Sequence, residues 1–244
     1  MDAQMPNTDP AASLTETLAA FAVSLRPEDI PPGVMARARL CLLDFAGVTL
    51  AGAREEAMRP LAGLVAANGG VAEAGAWGLG ARMPAAMAAL ANGSVGHHLE
   101  LDDGHILGHV HPGATVIPAA FALAEARRAS GAELLAAIVA GYEVLVRVGR
   151  GIATSAMYDR GYHGPGLFGA FGAAAASAAI LRLDATCAAH ALGNCCLAPA
   201  RPVRRQSDGS RPRCARPARA GRDRPRRGRE ARRPSCARSC RRSG

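Results

Sequence analysis

Residues 130–146 fix the fold class more firmly than any other stretch of this chain. Ser130 and Glu133 make the S-x-x-E pattern of a capping box, in which each side chain satisfies a free backbone N–H at a helix start. Behind it Leu134, Leu135, Ile138, Val139, Tyr142, Leu145 and Val146 recur at helical spacing along one broad face. A face that wide has to be buried against other helices. The rest of the chain offers the partners. Leu14, Leu18, Phe21, Ala22 and Leu25 repeat the period after Asp9 and Pro10, read as an N-cap with proline in the first turn, and Pro27, Pro31 and Pro32 break it. Val34, Ala38, Cys41, Leu42, Phe45 and Val48 share the face of a second helix, with Gly47 and Gly52 placed for close helix contact or a cap. A third helix over 58–67 ends at Asn68-Gly69-Gly70, and 71–80, with the single Trp77, is the one plausible extended segment. Pro84 opens an alanine-rich helix running towards Asn92 and His98; 116–129, 167–183 and an Asp184-capped segment to Leu192 complete the set. The expectation is an all-α body of antiparallel helices joined by short loops.

Charge divides the chain sharply. Residues 200–244 hold 17 arginines against Asp208, Asp223 and Glu230, whereas residues 1–199 hold 12 arginines against 17 acidic residues. The formal charge of +9 therefore belongs to the tail and says nothing of what the body binds. Val203 is the only aliphatic side chain of the tail larger than alanine or proline, so it buries too little apolar surface to offset ordering and is expected to be disordered. No basic n-region precedes the first apolar stretch, and no apolar run reaches the ~20 residues that span a bilayer. The seven cysteines form neither a zinc spacing nor a disulfide ladder, and Cys41, Cys187, Cys195 and Cys196 read as small residues in apolar helices. These features point to a cytoplasmic chain with no membrane association.

The chemistry concentrates in residues 92–113, NGSVGHHLELDDGHILGHVHPG, which contain five of the seven histidines and the carboxylates Glu100, Asp102 and Asp103. Histidine titrates near neutrality, and a neighbouring carboxylate orients its ring and raises its pKa. If the helix continues through this stretch, His97, Glu100 and Asp103 share a face, with His98 and Asp102 on the adjacent strip. His111 follows a flexible loop and precedes Pro112, which sets the backbone direction. A second concentration surrounds His163 between Tyr162 and Gly164-Pro165-Gly166, where glycines let backbone N–H groups face an anion. His105 and His109 read as bystanders, and His190 as structural. At spacing i, i+4 beside carboxylates His105 and His109 could also ligate zinc, but no ordered motif such as HExxH supports a metal site.

The run from Asn92 to Ala126, together with CLLDFAGVTLAG at 41–52 and RGYHGPGLFGAFGAAAASAAILRLD at 160–184, resembles the MmgE/PrpD family, which includes 2-methylcitrate dehydratase and cis-aconitate decarboxylase. The matching pieces cover residues 11–199 in order. The resemblance implies a large helical domain with a smaller α/β lid, a homodimer, and no metal or organic cofactor. It implies dehydration, decarboxylation or epimerisation at the carbon α to a carboxylate of a small di- or tricarboxylic acid. Carried over, His111, His163, Asp103 and Asp102 are the catalytic candidates, while His97, Glu100, Gly164 and Gly166 are the substrate-binding ones. One imidazole, His111 or His163, would take the α proton, a second protonated group would serve the departing hydroxyl, and Asp102 or Asp103 would orient an imidazole. Glu100 stands where relatives often carry aspartate.

After about Pro199 the chain departs from the family pattern. A lysine-bearing segment and the lid are expected there, yet the chain contains no lysine and turns into RPVRRQSDGSRPRCARPARAGRDRPRRG. The expected organisation is a family-like helical domain over 1–199, a tail over 200–244 produced by a shifted reading frame of a GC-rich gene, and no lid, with activity impaired accordingly. The alternative is a non-catalytic helical module whose arginine tail binds nucleic acid or an acidic partner. The tail lacks aromatic residues for base stacking and any regular repeat, which makes nucleic acid the weaker expectation.

Overall fold

The computed structural model describes residues 13–151 and 154–197. Their order is α1 (Leu14–Ser24), α2 (Pro32–Gly52), α3 (Arg59–Asn68), β1 (Ala74–Ala76), β2 (Ala81–Met83), α4 (Ala85–His97), α5 (Pro112–Arg127), α6 (Gly131–Arg150), α7 (Thr154–Asp159), α8 (Gly164–Ile180) and α9 (Ala185–Cys195). The fold is all-α, with one two-stranded antiparallel hairpin in which Ala74 faces Met83 and Ala76 faces Ala81. The Asp9–Pro10 cap, the end of the expected 1–199 domain and the whole arginine-rich tail lie outside the described residues.

Local signals explain most helix ends. Ser130 and Glu133 form the expected capping box of α6, and Asp184 caps α9 through the Cys187 N–H. The described start of α1 carries a second capping box, Ser13 with Glu16, built on the same S-x-x-E spacing. Helices α5 and α8 begin earlier than 116 and 167 because Pro112 and Pro165 occupy their first turns, where a missing N–H costs nothing.

Helix α5 runs through the main core, flanked by α4, α6 and α8, and α1 packs on α8 and α9 to form a second cluster. Val116, Ile117, Ile138, Leu145 and Phe168 are among the fully buried side chains of the main core. Absent side chains let the helices come close. A methyl at Gly96 would meet the Phe45 ring and Thr49 of α2, and one at Gly141 would meet Val116 and the α8 backbone at Gly172. Pro118 has no N–H to offer the Ala114 carbonyl, and Gly93 of α4 lies against that same carbonyl.

The hairpin is clipped to the helices by polar side chains. Buried Asn92 accepts the Trp77 N–H at 2.8 Å and donates to the Gly75 carbonyl at 3.0 Å, while Glu125 accepts the Gly75 N–H at 2.7 Å. Trp77 then packs between Phe45 and Phe121. Asn92, which opens the histidine-rich stretch, is thus a structural residue that ties the middle of α4 to the hairpin. Two of the four cysteines among the described residues differ from expectation: Cys187 and Cys196 are exposed on the outer side of α9, and only Cys41 and Cys195 are partly buried. Leu40, Leu43 and Leu50 leave an apolar face of α2 open. Among the described residues no helix is long and apolar enough to cross a membrane.

Candidate active site

Three helix ends converge to build the site. His97 is the last residue of α4, His111 is the N-cap of α5 and His163 is the N-cap of α8. The ring centroids of His97 and His111 lie 5.1 Å apart, and those of His97 and His163 lie 6.2 Å apart. The α4 helix does not continue into the acidic cluster. Glu100 takes a left-handed backbone conformation, φ 53°, which ends any helical register beyond His97. His97, Glu100 and Asp103 therefore share no helical face, contrary to the reading from spacing.

The turn carries Asp102 back underneath the imidazoles. Its side chain is fully buried, and both carboxylate oxygens stand 3.1 Å from His97 Nδ1. His111 Nδ1 lies 3.5 Å from Asp102 Oδ2, at the outer edge of hydrogen bonding, and is a buried nitrogen with no hydrogen-bond partner among the described residues. One carboxylate thus serves two imidazoles, bonded to the first and poised beneath the second. Glu100 Oε1 stays 3.8 Å from His97 Nε2 and is largely exposed, so it faces the open side of the ring.

Asp103 does not hold an imidazole. Its Oδ1 accepts the Gly113 N–H at 2.7 Å in the first turn of α5, and its Oδ2 accepts the Tyr142 hydroxyl at 2.8 Å. Of the two aspartates, Asp102 is the one that orients a ring. Tyr142 is the residue that sequence reasoning passed over, because its spacing placed it simply on the apolar face of α6.

His163 is exposed at the head of α8, and its side chain makes no cap bond to the first-turn N–H groups. Gly164 is needed for packing: a methyl there would run into the His109 carbonyl. Gly166 faces open space. His105 uses Nδ1 to accept the Gly108 N–H at 3.0 Å in its own turn, and His109 rests edge-on against Tyr158. Neither joins the group formed by His97, Asp102 and His111, whose donor atoms lie within 4.8 Å of one another and form the one metal-like grouping among the described residues. The 3.1 Å approach of His97 Nδ1 to Asp102 is a direct imidazole–carboxylate hydrogen bond, and a metal ion would have to displace the proton between them.

The electrostatics set the imidazoles apart. The hydrogen bond to Asp102 raises the pKa of His97 above the usual 6.5, against the opposing effect of burial. The protein covering one side of the His163 ring lowers its pKa below 6.5, and the neighbouring His97 and His111 add to that effect, while Glu100 opposes it. His97 is thus the ring that holds its proton more firmly and His163 the one that gives it up more readily, an ordering that suits a proton donor beside a proton acceptor. Burial raises the Asp103 carboxyl, with the bonds from Tyr142 and Gly113 pulling the other way.

Comparison with known proteins places the chain among relatives. The chain is 31% identical over 197 residues to the cis-aconitate decarboxylase-like protein oryM of Aspergillus oryzae, a match covering 78% of this chain and 41% of that protein. It is 28% identical over 204 residues to cis-aconitate decarboxylase of Aspergillus terreus, covering 80% and 41%, and 29% identical over 187 residues to the Mus musculus enzyme of that name, covering 74% and 38%. The chain thus spans about two fifths of the length of these relatives. Residues 16–223 match the MmgE/PrpD N-terminal domain, a range that includes every histidine of the site and runs on into the arginine-rich segment. The chain belongs to the MmgE/PrpD family.

Proposed function

We propose that this chain carries the acid–base half of a lyase site acting at the carbon α to a carboxylate of a small di- or tricarboxylic acid. The observation that carries the reading is the pairing of His163 and His97, 6.2 Å apart between ring centroids and pushed to opposite sides of the usual histidine pKa. Neutral His163, exposed on one side, takes the α proton. Cationic His97, fixed by buried Asp102, neutralises the charge that builds on the substrate carboxylate and delivers a proton. In a dehydration that proton goes to the hydroxide that leaves as water; in a decarboxylation, where CO2 departs and no α proton is removed, it goes to the carbanion left behind. His111 stands over the same carboxylate, its Nδ1 3.5 Å from Asp102 Oδ2. Glu100, on the open side of His97, recognises a hydroxyl or a protonated oxygen of the substrate.

The relatives named cis-aconitate decarboxylase support the substrate class, since cis-aconitate is a small tricarboxylate. Dehydration of 2-methylcitrate belongs to the same chemistry and is the first alternative. The reading assigns the reaction to side chains alone, within a homodimer. Turnover of cis-aconitate and 2-methylcitrate, followed by absorbance of the unsaturated acid, tests it. His163→Gln is expected to lower the rate by about 100-fold or more, the usual contribution of a positioned general base. Equal rates in the wild type and His163→Gln, or no turnover of either acid by the wild type, would overturn it.

A further inference from the structure

The partly buried link between α6 and the acidic turn is not used by the chemistry above, and it lies one residue from Asp102. Asp103 follows Asp102 directly, and both oxygens of its carboxylate are bound: Oδ1 by the Gly113 N–H at 2.7 Å, Oδ2 by the Tyr142 hydroxyl at 2.8 Å. Gly113 is second in α5, two residues beyond His111, and a Cβ there would stand 2.7 Å from Asp103 Oδ1 and 3.3 Å from the Tyr142 hydroxyl. The site closes only around a glycine. Tyr142 packs against the main core, with the Cys41 thiol of α2 beside its hydroxyl. The phenol pKa is raised well above its usual value by burial and by the Asp103 charge, so the hydroxyl keeps its proton and remains a donor.

We infer that Tyr142 is a positioning residue of the site: through Asp103 it ties the turn of residues 98–111 to α6 and so holds the Asp102 carboxylate between His97 and His111. Val110 is buried and Gly108 packs against α6, which anchors the far end of the segment, whereas at its near end Glu100 adopts a left-handed backbone and Leu101 is exposed, so the Asp102–Asp103 step rests on its own polar bonds. Without the phenol hydroxyl, the partly buried Asp103 Oδ2 lacks its donor, and the turn relaxes to bring it to water. Asp102, one residue away, moves with it. The groups facing His97 are Asp102, Glu100, His111 and His163, and of these Asp102 alone is coupled directly to the Tyr142 link.

The inference deepens the acid–base reading by naming what sets the proton donor in place, and its test needs no substrate, so the two fail separately. Imidazole titrations by NMR are recorded on the full chain for the wild type, Tyr142→Phe, Asp103→Asn and the double variant, with Ile138→Val as a control in the same helix and core. Tyr142→Phe is expected to move the His97 midpoint down by about half a pH unit or more as Asp102 withdraws. Asp103→Asn is expected to move it in the same direction, and the double variant to fall short of the sum, because both act through one link. Ile138→Val loses packing alone and is expected to leave the midpoint in place. A His97 midpoint in Tyr142→Phe equal to that in Ile138→Val, or shifts that add fully in the double variant, would overturn the assignment. Should Tyr142→Phe fail to fold, Asp103→Asn against the same control decides the question by the same criterion.

Discussion

Asp102→Asn probes the electrostatics of the site with the smallest change of shape. The wild-type carboxylate is fully buried and stands 3.1 Å from His97 Nδ1 through both oxygens. The amide keeps the size and one accepting oxygen, so His97 retains a neutral hydrogen bond and loses only the charge. A hydrogen bond to a charged group contributes about 1.5–3 kcal/mol against about 1 kcal/mol for a neutral one. At 1.36 kcal/mol per pKa unit, the loss corresponds to a fall of about half to one and a half units in the His97 pKa. The burial that already opposes protonation then acts without its counterweight, while exposed Glu100 at 3.8 Å offers weak compensation. NMR titration of the ring protons reads the shift directly, with His190, far along the chain on α9, as an internal reference. A His97 midpoint that moves by less than about 0.3 units would show that Asp102 is not the group that raises it, and the division of labour between the imidazoles would lose its cause.

Three further outcomes follow. Gly164→Ala drives a methyl into the His109 carbonyl and is expected to destabilise the chain by about 1–3 kcal/mol, read as a lower urea midpoint at unchanged slope. Gly166→Ala, which faces open space, is expected to shift that midpoint far less. The His97–Asp102 pair raises the folded-state pKa of His97, so its stabilisation is complete below about pH 6.5 and is lost as the pH rises through that raised value; the melting-temperature gap between the wild type and His97→Gln should be widest in acid and close above neutrality.

Local chemistry was readable from the sequence, and contacts between distant segments were not. The S-x-x-E box at Ser130 and the proline at residue 84 announce helix starts because the signal lies within four residues of the end it sets. The same box at Ser13 was overlooked in favour of Asp9-Pro10, and the helices expected from 116 and 167 begin at the first-turn prolines 112 and 165 instead. The end of α4 carries no such signal. Nothing in His97-His98-Leu99-Glu100 breaks a helix, and the break is made by Glu100 in a conformation that non-glycine residues seldom adopt. Adjacent identical aspartates cannot be told apart by spacing: Asp102 turns to His97, five residues back, whereas Asp103 reaches Tyr142, 39 residues ahead. Which carboxylate orients an imidazole was therefore decided by tertiary structure. The family resemblance named His111 and His163 as catalytic candidates and His97 as a substrate-binding one, and the different proton affinities of His97 and His163 emerge only from burial and from the Asp102 bond.

The central claim is that one cationic and one neutral imidazole face a small polycarboxylate. The measurement that tests it most directly is NMR titration of His97 and His163 in one sample of the wild-type chain, without and with propane-1,2,3-tricarboxylate. His97 is expected to titrate above pH 6.5 and His163 below it. The tricarboxylate is expected to raise both midpoints, because a bound anion favours the charged form of each ring. Midpoints in the reverse order, or midpoints that the acid leaves unmoved, would contradict the account.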